Sequence, residues 1–156
     1  MHNLLISLVI IFGCTNTAFG QSITMIIQSP DRIKIQEKFT YDLYIKNESS
    51  DSLIIPKYIL GGPGTSFSHK LFDQTGKEIP IKFVPEYSFS PSVMTNATAD
   101  LVPWGIYGMC DALPTKLFFP SCGRYRIQFI WEGCLWTSAS ERVFKKFIVD
   151  KWIIIE

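Results

Sequence analysis

Three cysteines, Cys110, Cys122 and Cys134, fall twelve residues apart, and His69 is the one histidine after position 20. Thiolates and imidazoles hold structural zinc, but zinc sites draw their ligands in close pairs such as Cys-x2-Cys, and no such pair is present. In an oxidising compartment three thiols predict one disulfide and one leftover thiol. Cys122 and Cys134 bracket Arg124–Trp131. That segment extended covers roughly 26 Å at about 3.3 Å per residue, far beyond the ~4.4–6.8 Å Cα separation a disulfide spans. With the preceding strand running antiparallel, its start lies near the end of this one. The expected pair is therefore Cys110–Cys134, worth roughly 3 kcal/mol, with Cys122 free.

A hydrolase would require His69 to meet a nucleophile on one side and an orienting carboxylate on the other. His69 sits in Phe67-Ser68-His69-Lys70-Leu71, where Phe67, His69 and Leu71 share a face, the setting of a partly buried structural histidine. Asp73 and Glu78 flank a turn, Asp100 and Asp111 fall in expected loops, and no Asp-x-Asp ladder marks a calcium site. No catalytic residue, metal or cofactor is assigned.

The best functional lead is aromatic. Trp104-Gly105-Ile106-Tyr107-Gly108-Met109 interleaves large rings with glycines in an expected loop, and Trp136 follows the strong strand that starts near Arg124. Trp104, Tyr107 and Trp136 could form a stacking platform for sugars or an anchor for a protein partner. Alternatively, Trp104 and Tyr107 plug the open end of the core. Asn47-Glu48-Ser49 and Asn96-Ala97-Thr98 fit the N-glycosylation triplet and read as surface markers.

Strands must position these residues. Phe39, Tyr41, Leu43 and Ile45 alternate with polar or amphipathic residues, the period of a half-buried strand, and the run ends in the turn formers Asn47–Ser52. Ser22–Gln28 and Arg32–Ile35 read as an edge strand broken at Pro30, which cannot donate to a ladder. Leu53–Ile55 is a short strand before Pro56, and residues 61–64 form a loop. Phe67–Phe72 and Ile79–Val84 flank Asp73-Gln74-Thr75-Gly76, with Asp and Gly at the first and fourth positions of a type I turn. Residues 85–100 read as a long surface connection. Thr115–Phe119, Arg124–Trp131 and a segment within Arg142–Val149 complete the strands, and Trp152–Ile155 is expected either to end the last one or to lie as a flap on the core.

The first twenty residues read as a leader. Leu4–Phe12 is an uncharged apolar run too short to span a bilayer, followed by Ala18 and Gly20, small residues that suit signal-peptidase cleavage before Gln21. Ile11-Phe12-Gly13-Cys14 offers a second reading as a lipobox, with lipid on Cys14. Removing 20 of the 156 residues leaves 136, one domain over 21–156, and all charged residues stay with it, so the formal net charge remains +1. No long-range field invites nucleic acid, and a membrane enters only through lipid on Cys14. The 12 Phe, 6 Tyr and 4 Trp favour strands over helices.

Gly123-Arg124-Tyr125-Arg126-Ile127-Gln128-Phe129-Ile130-Trp131 resembles the penultimate strand of immunoglobulin-like sandwiches, with Tyr125 where a tyrosine corner begins and its acceptor near Phe118–Pro120. Leu101-Val102-Pro103-Trp104-Gly105 resembles the Leu-x-Pro-Gly entry of secreted bacterial sandwiches, with Trp104 in place of the glycine. Together with Phe39–Asn47 and Leu71–Ile79, the penultimate strand resembles the bacterial intracellular-proteinase-inhibitor domain family over most of residues 23–131. That resemblance implies architecture and carries over no inhibitory loop residue by residue; a proteinase-inhibitor-like domain acting through an exposed loop, residues 85–100 or 103–110, is the alternative function. The expectation is an all-β, antiparallel immunoglobulin-like β-sandwich of about seven to nine strands. It would be secreted, periplasmic, extracellular or lipid-anchored to the envelope, and would bind a protein or glycan without catalysis.

Overall fold

The strands form where apolar residues alternate. In chain order they are β1 (Ile23–Gln28), β2 (Arg32–Ile33), β3 (Lys38–Asn47), β4 (Leu53–Pro56), β5 (Thr65–Asp73), β6 (Glu78–Ile79), β7 (Thr98–Leu101) and β8 (Ile106–Pro114). After one helical turn, α1 (Thr115–Phe118), come β9 (Gly123–Thr137) and β10 (Arg142–Ile155). The computed structural model describes residues 23–62, 64–82, 98–137 and 141–156. The expected leader with Gly20 and Gln21, the lipobox Cys14 and residues 85–97 of the long connection lie outside the described residues.

Two sheets face each other. The small one runs β1-β3-β8, and the large one runs β2-β10-β9-β4-β7, with β5 beside β9 and β6 beside β5. All pairings are antiparallel except β2 with β10. At Ser29-Pro30-Asp31 the N-terminal edge leaves the small sheet and joins the large one. Among the described residues, eight strands have four or more residues. The fold is the expected immunoglobulin-like β-sandwich.

Period two decides what is inside. Phe39, Tyr41, Leu43 and Ile45 of β3 face Ile127, Phe129 and Trp131 of β9 across a core that also holds Leu71, Phe118 and Phe119. Trp131 is fully buried and its indole N–H donates to Ile59 O at 2.9 Å. Gly133, one inward position further along β9, has no side chain because a Cβ there would overlap the Trp131 ring. Tyr125 Oη donates to Ser121 O at 3.1 Å, the tyrosine-corner bond, one residue beyond the segment expected to accept it.

Three local expectations give way to tertiary context. Thr115–Phe119 is not a strand: Phe118 and Phe119 are consecutive and both buried, which a two-faced strand cannot provide. A single helical turn after Pro114, closed by Phe119 N–H to Thr115 O at 2.8 Å, turns both rings into the core. Residues 106–110 are not loop. They open β8, where Tyr107, Met109, Asp111 and Leu113 face inward in register with β3. The partner of β5 is short, pairing at Leu71↔Ile79 and Phe72↔Glu78, although the Asp73–Gly76 turn forms as read.

Candidate functional site

Asn47, the last residue of β3, is fully buried at 0% exposure and organises one end of the sandwich. Its Nδ2 donates to Asp51 O at 2.8 Å, Leu101 O at 3.2 Å and Val102 O at 3.2 Å. Its Oδ1 accepts from Ser49 N at 3.0 Å and Ser49 Oγ at 2.6 Å. Asn47 N–H also donates to Gly105 O at 2.9 Å. One side chain thus ties the β3–β4 turn to the turn between β7 and β8. The reading of Asn47 as a surface marker is overturned, because its side chain is buried and the two N–H protons of its amide are shared among three carbonyls.

The turn so held is Val102-Pro103-Trp104-Gly105, closed by Gly105 N–H to Val102 O at 2.9 Å. Pro103 supplies the fixed φ of the second position, and Trp104 occupies the third position with φ 60°, where a type II turn wants glycine. Among the described residues Trp104 is the one non-glycine with positive φ. A left-handed conformation costs an L-residue roughly 1–2 kcal/mol. Trp104 is 65% exposed, and its neighbours Val102 and Ile106 are exposed too. The core-plug reading therefore fails for Trp104, which covers no core.

The other aromatic candidates lie elsewhere. Tyr107 turns inward, packs against the core and donates its hydroxyl to Lys57 O at 2.7 Å. Trp136 lies on the outer face of the large sheet, opposite Arg142 on one side and Ile54 on the other.

His69 does meet polar partners, in an arrangement unlike a hydrolase. Tyr41 Oη donates to Asp111 Oδ2 at 2.8 Å and lies 3.0 Å from His69 Nε2. The single phenol proton goes to the carboxylate, so His69 Nε2–H donates to the phenol oxygen. Tyrosine stands between histidine and acid, whereas in a catalytic triad histidine stands between acid and nucleophile. The chain joins the two sheets, with Tyr41 and Asp111 on one and His69 on the other. The imidazole meets Tyr41, Phe67, Phe118 and Phe129 edge-on. Burial in that cage lowers its pKa to about 4, against the opposing pull of Asp111.

The expected Cys110–Cys134 disulfide is not formed, and all three thiols are free. Cys110 pairs with Asp42 on the outward row of the small sheet, and Cys134 pairs with Phe144 on the outward row of the large sheet. The thiols leave opposite outer faces of a sandwich whose layers lie about 10 Å apart. The expectation treated the segment before β9 as its neighbour, whereas β8 belongs to the other sheet. Cys134 is buried and accepts from Arg142 Nε at 3.0 Å, while Cys110 and Cys122 are exposed.

No protein-family model matches the chain, that of the proteinase-inhibitor domains included, and no curated protein matches it. Solved structures resemble it at low identity. The CARDB domain of a Pyrococcus furiosus protein, solved with di-metal ions, is 16% identical over 91% of this chain and 95% of that one, at a TM-score of 0.44. The putative ApaA protein of Bordetella pertussis is 10% identical, over 86% and 94%, at 0.44. A human ASH/PapD-like domain is 13% identical, over 95% and 98%, at 0.39.

Of the residues that build this end, sequence reasoning gave a binding role to Trp104, read Asn47 as a surface turn residue, and gave no role to Val102 or Ile106. Pro103 ahead of Trp104-Gly105 was a local sign of the turn. Asn47 was marked locally as the first of the turn formers, and its bonds to Ser49 and Asp51 fit that sign, but nothing local marked its burial or its acceptors Leu101 and Val102, 54 and 55 residues away.

Proposed function

We propose that the chain is an exported, non-catalytic binding module that anchors a protein partner on Trp104, with Val102 and Ile106 as its apolar flanks. One observation carries this reading: a large aromatic side chain is held exposed in a backbone conformation that favours glycine. A residue kept at a cost to stability, with no core to cover, is best explained by what it touches outside. Aliphatic flanks suit an apolar pocket on a protein, since sugars want hydrogen-bonding groups beside a stacking ring. Export rests on the leader, through Leu4–Phe12 and the small residues at Ala18 and Gly20.

Loop-mediated proteinase inhibition through residues 103–110 fits less well, and most of the other candidate loop, residues 85–100, lies outside the described residues. An inhibitory loop lies extended in a protease cleft, whereas residues 102–105 form a closed turn and residues 106–110 are tied into β8. The protein is expected not to titrate serine, cysteine or metalloproteases stoichiometrically.

Trp104→Gly tests the anchor. Relief of the left-handed strain should raise the stability by roughly 1 kcal/mol, read as a higher urea midpoint. In the native host, a photo-crosslinking phenylalanine analogue at position 104 should give one discrete protein adduct. Excess unlabelled wild-type protein should suppress that adduct, and excess Trp104→Gly protein should not. Equal competition by both proteins, or a Trp104→Gly protein less stable than wild type, sinks the reading.

A further inference from the structure

The free edge of β10 is self-complementary, and we infer that it pairs antiparallel with the same edge of a second copy of this chain. Among the described residues β10 has β9 on one side along its whole length, and on the other only β2, at Ile154 and Ile155. Among the described residues, Arg142–Ile153 therefore has no ladder partner on that side, although β1 packs close to β10. Its register with β9 runs without a bulge from Arg142↔Trp136 to Ile155↔Gly123. Because Ile154 N–H bonds outward to Asp31 O, the even-numbered residues of β10 point their N–H and C=O groups toward the open edge.

The side chains of those even residues lie on the outer face, and their order is a palindrome in chemical type. Placing a two-fold axis at Ile148 sets Ile148 opposite the partner's Ile148. Lys146 then faces the partner's Asp150, and Phe144 faces the partner's Trp152. Ile148 is 46% exposed, and Phe144 and Trp152 are also exposed large apolar side chains. All these pairs fall at hydrogen-bonding positions of an antiparallel ladder, so one arrangement satisfies edge amides, charges and apolar side chains together.

Neighbouring groups extend the match. Lys146 Nζ already lies 2.6 Å from Glu132, and Asp150 accepts from Arg126 at 2.9 Å and Gln128 at 3.2 Å. The new row would alternate in sign, Glu132, Lys146, the partner's Asp150, the partner's Arg126. On the inward row Phe147 meets the partner's Val149 and Val143 meets the partner's Ile153. The one like-charge pairing, Lys145 with the partner's Lys151, is offset because Lys151 Nζ is bound to Asp31 at 2.8 Å. Long exposed edges are normally blunted by unmatched charges, and here the outward charges match under a two-fold axis.

The axis position gives the test. Wild-type protein should sediment as a dimer that dissociates on dilution. Ile148→Lys and Ile148→Glu each set like charges face to face on the axis, and each should weaken self-association at least roughly 100-fold. Mixed one to one, the two variants should re-form a dimer containing one of each. Concentration-dependent amide exchange on the wild type gives a second readout, with slowing confined to Phe144, Lys146, Ile148, Asp150 and Trp152. A wild-type monomer throughout the dilution series, dimers in either charged variant alone, a mixture that stays monomeric, or exchange that slows at odd positions would overturn the inference.

Discussion

Asn47→Asp should unfold at a markedly lower denaturant concentration than wild type, with a loss of about 4 kcal/mol at neutral pH. The substitution keeps the shape and replaces a buried amide nitrogen that donates to three carbonyls with an oxygen that repels all three. A carboxylate at 0% exposure is also costly to charge, so the variant should take up a proton and recover part of the loss as pH falls. Asn47→Ala, which leaves the same carbonyls and the Ser49 donors without a partner, should lose about 3 kcal/mol without that recovery. Because Leu101 O and Val102 O open the Trp104 turn, both variants should also lose the crosslink at position 104. Urea midpoints at pH 7 and pH 5 separate the two substitutions. A loss under about 1 kcal/mol for both would mean that water replaces the amide at no cost, and that Asn47 is not the tie between the two turns.

Acid should weaken the protein through His69. Its pKa in the fold is about 4 against an ordinary 6.5, so the fold favours the neutral imidazole. Between those values the unfolded chain binds more protons than the native one. Stability from this group is therefore full above about pH 6.5 and is lost as pH falls toward 4. A difference of this size corresponds to about 3 kcal/mol. Structurally, a proton on the imidazole places a charge among Tyr41, Phe67, Phe118 and Phe129, where the Coulombic pull of Asp111 offsets less than burial costs. His69→Phe, which keeps a ring in the cage, should flatten the profile between pH 6.5 and 4.5. If wild type and His69→Phe lose urea midpoint in parallel over that window, the acid sensitivity belongs to other groups.

These two residues show how unevenly the chain could be read. The strand of Phe39, Tyr41, Leu43 and Ile45 was legible because period-two burial is a local property of the backbone, and so was the Asp73–Gly76 turn, whose bonds span four residues. His69 was legible as a partly buried residue on one face. Its partners were not, because Tyr41 and Asp111 lie 28 residues before it and 42 residues after it and reach it across the sandwich. The Cys110–Cys134 expectation failed at the same boundary. It needed to know which sheet β8 joins, and that depends on the pairing of β8 with β3 rather than on any spacing among cysteines.

The residues by themselves determined an all-β chain, the inward rows of Phe39–Ile45 and Phe67–Leu71, the Pro30 break and the turn chemistry at Asp73, since each follows from backbone sterics and side-chain alternation over a few positions. The tertiary structure alone decided that Asn47 is buried rather than displayed and that Trp104 stands in solvent on a strained backbone. It also placed Phe118 and Phe119 together in the core through a helical turn and sent Cys110 and Cys134 out of opposite faces. Each of these depends on which strands become neighbours, and that choice is made by burying apolar surface between segments distant in the chain.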